Sequence, residues 1–124
     1  MYVKYEDKRV RELFEDLNDV QSSRNLMRKE IGAEMTRAVK KKFNQLIAFS
    51  NFSFLLQAKI GKIEPLEGRE DGNYSVHLSA NYRLIVAPDT NDFSAKALKR
   101  CDTFIIKGVV DYHGKGSKYN WLIP

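Results

Sequence analysis

The sequence predicts an α+β domain, with N-terminal helices packed on one face of a small antiparallel β-sheet. Three observations carry this expectation. Between Asp7 and Phe49, apolar residues recur at helical spacing. From Tyr74 onward the hydrophobic period drops to two. The 124 residues, 43% hydrophobic and 30% charged, suit a single domain over 1–124 with one modest core.

The elements follow in chain order. "YVKY" at the start reads as a short first strand. From Asp7 to about Val20, Val10, Leu13, Phe14, Leu17 and Val20 form one stripe of an amphipathic helix, and Asp7 is placed to cap it. "NDVQSS" interrupts the pattern. A longer helix is expected from about Arg24 to Phe49, with Met27, Ile31, Met35, Val39, Phe43, Leu46 and Ile47 on one side. Lys40-Lys41-Lys42 near its middle reads either as a solvated face or as a phosphate-facing patch. "SNFSFLLQAKIGKI" reads as a connector with a short helical turn.

Tyr74, Val76 and Leu78 alternate with Ser75, His77 and Ser79, and a second alternating run starts at Tyr82. A two-residue turn at Ala80-Asn81 would set Leu78 against Arg83. A three-residue loop, Ser79-Ala80-Asn81, sets Leu78 against Tyr82 and His77 against Arg83 and keeps the faces consistent. Asn81 suits the positive φ of such a loop. A short helix is expected near Phe93–Lys99. "TFIIKGVVDYH" is the last strand. If regular, it puts Ile105, Lys107, Val109, Asp111 and His113 on one face and Phe104, Ile106, Val110 and Tyr112 on the other. The tail Trp121-Leu122-Ile123 closes the core or offers an interaction surface. The polar residues are expected on the sheet face that the helices leave uncovered.

Net charge is +5 and the sequence pI about 9.3, which favours an acidic partner, nucleic acid or protein. One cysteine, Cys101, permits no intrachain disulfide and suits a reducing cytoplasm. "MYVKYEDKRV" lacks the apolar run of a signal peptide, and no stretch approaches the ~20 apolar residues of a membrane helix. Two histidines and one cysteine, far apart, argue against a structural zinc site. No metal and no cofactor is expected.

Three places combine into a chemical set. Glu64 precedes a proline and Glu67 a glycine in "IGKIEPLEG"; Arg83 sits in "NYRLIV"; His113 ends "VVDYH". Metal-free RNA cleavage needs a base for the 2′-hydroxyl proton, a cation for phosphorane charge, and an acid for the departing 5′-oxygen. Glu64 fits the base if burial raises its pKa, and Glu67 competes with it for that role. Arg83 offers a planar fork, and His113 titrates in the right range for the acid. Asp111 is placed to hold His113 protonated. Tyr112 and Tyr74 are candidate base stackers. Lys59, Lys62, Arg69, Lys115 and Lys118 are candidate RNA-backbone contacts. Each residue also has a plain reading. His113 would be an exposed strand-end histidine, Arg83 a surface arginine and Glu64 a solvated loop residue; His77 reads as an exposed cross-strand partner of Arg83 or else a substrate contact.

The order of helices, "IEPLEG", "YSVHLSANYRLIV" and "DYH" resembles the RelE/ParE toxin superfamily of bacterial type II toxin–antitoxin modules, over about residues 55–114. "DYH" and the "Y-S-V…N-Y-R" pattern are most similar to the HigB branch. That branch commonly has a histidine and a lysine in its Pro-Leu loop, where this chain has Glu64 and Glu67. "GKIEPLEG" instead resembles the YoeB loop, and Glu64, Arg83 and His113 match the glutamate, arginine and histidine of that branch's active site. The resemblance implies a RelE-like fold and an endoribonuclease that cuts mRNA on the ribosome. It also implies a cognate antitoxin, HigA-like and DNA-binding. The competing expectations are a ParE-like inhibitor of DNA gyrase and an inactive relative kept for antitoxin binding.

Overall fold

A computed structural model describes residues 1–19, 22, 24–66, 72–112 and 119–124. Strand β1 (Tyr2–Tyr5) leads into helix α1 (Lys8–Glu15). The Asp7 carboxylate caps α1 by accepting from the Val10 amide at 2.9 Å, as the sequence predicts. The α-helix is shorter than expected. It tightens into a 3₁₀ turn at Asp16–Asp19, which still carries Leu17 inward, and Val20 lies outside the described residues. Helix α2 (Leu26–Ile47) is capped by Asn25, whose side chain accepts from the Arg28 amide. It is not one straight helix. Gly32, at φ 84° and ψ 165°, breaks the helical conformation. The break shifts the phase of the apolar stripe. Thr36, not Met35, is fully buried in the next turn, and its hydroxyl donates to the Gly32 carbonyl at 2.7 Å.

The expected connector contains a helix, α3 (Phe52–Ala58), capped by Asn51 on the Phe54 amide. A 3₁₀ turn at Ile60–Lys62 leads to the two-residue strand β2 (Glu64–Pro65). Strands β3 (Tyr74–His77) and β4 (Tyr82–Pro88) form the expected hairpin. Helix α4 (Ala95–Arg100) starts from Ser94, and strands β5 (Thr103–Tyr112) and β6 (Tyr119–Ile123) complete the chain.

The sheet runs β1-β5-β4-β3-β2, with β6 also pairing β5. It is mixed, not antiparallel: β1 lies parallel to β5, Tyr2 opposite Thr103 and Tyr5 opposite Ile106. The remaining pairs are antiparallel. A parallel neighbour requires a long crossover, and here the helices supply it. The apolar tail is thus a strand rather than a loose closure. Ile123 is buried in the core while Trp121 stays 41% exposed.

One buried cluster draws on all four helices and the sheet. Leu13, Val39, Phe52 and Leu98 meet Val76, Leu84, Val86, Phe104, Ile106 and Val109 there. Each such side chain, fully removed from water, contributes roughly 1.5–3 kcal/mol. The second sheet face is not simply left to solvent. Ser75, Arg83, Ile85, Ala87 and Val110 are buried on it, outside that cluster.

A bulge rearranges β5. Ile85 stands opposite Gly108 while Val86 stands opposite Ile106, so Lys107 is an extra residue. Its ammonium pairs with Glu6 at 2.7 Å. The extra residue inverts the alternation beyond it. Val109 joins Phe104 and Ile106 in the core, and Asp111 follows it onto that face. Val110 and Tyr112 turn to the Arg83 face. The regular-strand expectation is therefore corrected: Tyr112, not Asp111, is the neighbour of Arg83. Only glycine fits at 108. A Cβ there would overlap the Ile123 carbonyl oxygen and stand 2.9 Å from the Trp121 ring.

Candidate functional site

The β3–β4 turn organises the site. His77 pairs with Arg83, and the Leu78 amide donates to the Tyr82 carbonyl at 2.9 Å, which is the predicted three-residue-loop register. The left-handed φ expected at Asn81 is absent; positive φ among non-glycine described residues occurs at Lys59 and Lys62. The turn is held instead by Arg83. Its Nη1 donates to the carbonyls of Ser79 (2.9 Å), Ala80 (3.1 Å) and Tyr82 (3.1 Å). The guanidinium carbon lies 5.4 Å from the Tyr112 ring centroid, a cation–π contact. The Tyr112 amide donates to the Asn81 carbonyl at 2.6 Å, tying β5 to the same turn.

Arg83 is thus only 8% exposed, far from the surface fork the sequence suggested. One nitrogen serves the turn. Nε and Nη2 make no hydrogen bond to another described residue.

The approach to β2 supplies the other groups. Lys59 (φ 54°), Gly61 (φ 57°) and Lys62 (φ 52°) all adopt left-handed conformations, an unusual concentration of strain. Gly61 is pressed onto β3. A Cβ there would stand 2.5 Å from Val76 Cγ1 and 3.3 Å from the His77 carbonyl oxygen. This tight loop sets Lys62 and Glu64 beside His77. Glu64 pairs with Ser75, two residues from His77 along β3, so it shares a face with His77 and Arg83.

Electrostatics report the same neighbourhood. The His77 imidazole is held below its ordinary value, first by burial, then by the positive charges of Arg83 and Lys62. Glu64 opposes this, and Lys42 of α2 adds to it. Of the lysine run of α2, Lys42 is half-buried and its charge is felt at His77, while Lys41 is exposed. His77 itself makes no side-chain hydrogen bond among the described residues.

The predicted residues separate as follows. Glu64, Arg83 and Tyr112 share one sheet face. Asp111 lies on the opposite face, opposite Tyr82 in register. Tyr74 faces the core, edge-on to Phe52 at 5.2 Å, and burial raises its pKa. It also borders a groove of about 510 Å³ with Lys59, Lys62, Glu64 and Pro65. Both lysines are exposed there. His113, Lys115, Lys118, Arg69 and Glu67 lie outside the described residues. The sequence suggests an exposed cross-strand pair of His77 with Arg83; the pairing is present, but Arg83 is buried and His77 half-buried. Its place among Lys42, Lys62 and Glu64 depends on how the 59–62 loop and α2 pack, which no spacing encodes.

The fold and site define an α+β protein whose mixed sheet carries an imidazole, a guanidinium and a carboxylate on one face, rimmed by lysines. Among known proteins, no family model, no curated protein and no solved structure matches the chain. Among the described residues, no helix is long and apolar enough to cross a membrane, and no three His, Cys, Asp or Glu side chains gather as a metal-holding group.

Proposed function

We propose that the chain is a RelE-like, HigB-type toxin of a type II toxin–antitoxin module, a ribosome-dependent endoribonuclease that cleaves mRNA by acid–base catalysis and stops translation. The observation that carries this reading is the sheet register, which aligns Glu64, His77, Arg83 and Tyr112 on one face around the β3–β4 turn. An anionic chain laid across that face meets Lys59 and Lys62 beside Glu64. Arg83 supplies guanidinium donors to a non-bridging phosphate oxygen, and Tyr112, braced by that guanidinium, offers a ring to a nucleobase. The resemblance places Glu64, Arg83 and His113 in the active site; the residue chemistry makes His113 the proton donor and Glu64 the acceptor, with Arg69, Lys115 and Lys118 as further backbone contacts. The reaction requires no cofactor. The net charge of +5 suits an acidic antitoxin segment as well as RNA, and the setting is the cytoplasm.

Programmed ribosomes test the reading. Wild-type protein should cut message at defined positions within codons, and His113→Ala should slow cutting by about 10²–10⁴-fold. Uncut message in the presence of folded wild-type protein would end the nuclease proposal.

One observation favours a second reading, an inactive or ParE-like binding protein: Arg83 is only 8% exposed and its Nη1 is held by the turn. Loss of DNA supercoiling with message intact would select the gyrase inhibitor.

A further inference from the structure

Metal-free cleavage of RNA turns on which group accepts the 2′-hydroxyl proton. Glu64, the residue that sequence likeness suggests, is exposed at the start of a two-residue edge strand. A second candidate has a more constrained position. His77 is half-buried at the end of β3, directly across from Arg83. Directly opposed side chains in an antiparallel pair have Cβ atoms roughly 4.5–5.5 Å apart. The Gly61 backbone presses on the His77 main chain from the loop side, which fixes the strand end from which the ring projects. Among the described residues, the charges that act on the ring are those of Arg83 from β4, Lys62 from the 3₁₀ turn, Glu64 from β2 and, most weakly, Lys42 from α2. Among the described residues, three cations and one carboxylate thus act on the imidazole. Such an environment attracts a phosphate and disfavours a protonated ring. The ring spends no hydrogen bond on the described protein.

We infer that His77 is the proton acceptor of the cleavage reaction, an inference that rests on the nuclease reading above. The 2′-hydroxyl of the nucleotide 5′ to the cut gives its proton to the imidazole. The 2′-oxygen then bonds to phosphorus. The bond from phosphorus to the 5′-oxygen breaks, and its electron pair leaves on that oxygen, which takes a proton from the acid. The products are a 2′,3′-cyclic phosphate and a 5′-hydroxyl, with no outside reactant. Arg83 and Lys62 meet the charge that builds on the phosphate oxygens. Glu64 becomes a positioning residue that tunes the imidazole, its negative charge making His77 more basic.

Single-turnover cleavage of message on programmed ribosomes, followed from acidic to mildly alkaline pH, tests this. The wild-type rate should climb with pH along an acidic limb whose midpoint lies below the ordinary imidazole value. His77→Gln should lower the plateau by about 10²–10⁴-fold and remove that limb. Glu64→Gln should keep the limb and move it to lower pH. Exogenous imidazole should partly restore His77→Ala, a rescue that a structural role would not give. A His77→Gln protein that keeps the limb and cuts within a few-fold of wild type overturns the inference while leaving the nuclease reading intact. So does loss of the limb in Glu64→Gln alone, or a His77→Ala protein that folds and ignores added imidazole. Wild-type protein that cuts no message overturns both.

Discussion

Replacing Gly108 by alanine tests the bulge that brings Tyr112 to Arg83. The new methyl would overlap the Ile123 carbonyl oxygen and approach the Trp121 ring to 2.9 Å. Neither obstacle is the free end of a flexible side chain, so β6 must retreat. Ile123 is fully buried and directly paired with Val109. Taking such a side chain out of the core costs about 1.5–3 kcal/mol by its burial alone. Gly108 also sits at φ 150°, where an L-residue adds strain of order 1–3 kcal/mol. A total near 4 kcal/mol is expected. At roughly 4 °C per kcal/mol for a chain of this length, Tm should fall by about 15 °C. Gly32→Ala is the comparison. It too has a positive φ, but nothing lies within 4 Å of its Cβ position. It carries the strain alone, about 1–3 kcal/mol. Thermal unfolding followed by circular dichroism reads both. A Gly108→Ala protein that melts within a few degrees of wild type, or no lower than Gly32→Ala, would refute the argument that β6 locks the bulge.

Leu84→Ala, in a fully buried position of the central sheet, should cost about 2–5 kcal/mol in urea unfolding, with m unchanged. Asp7→Ala removes the acceptor of the Val10 amide and should cost about 0.5–2 kcal/mol, with Asp7→Asn restoring most of it. His77 is less basic in the folded chain than in the unfolded one, so the unfolded state binds more protons between the lowered value and about 6.5. Its share of stability is whole above about pH 6.5 and drains away as pH falls below it. Urea midpoints on either side of that window should therefore differ less in His77→Gln than in wild type; an equal difference would remove His77 from the explanation.

The sequence by itself determined the local elements, because their causes are local. Asp7 caps the first helix, the alternation in "YSVHLSANYRLIV" makes a hairpin, and the pairing of His77 with Arg83 follows from keeping polar and apolar faces apart. The stripe Met27, Val39, Leu46 marked the buried side of α2. What the tertiary structure alone decided comes from contacts between distant segments. Parallel pairing of β1 with β5 depends on how the helices cross over the sheet. The bulge at Lys107–Gly108 depends on β6, and a shift of one residue there exchanges Asp111 for Tyr112 beside Arg83. Arg83 became a buried tie for the turn because three carbonyls converge on it. His77 gained its cationic surroundings because a left-handed loop folds against the strand that bears it and the second helix packs on that loop. Periodicity says which side of a strand a residue takes while the strand stays regular. It carries no information about which separate segments approach that side, and the chemistry of this face resides in those approaches.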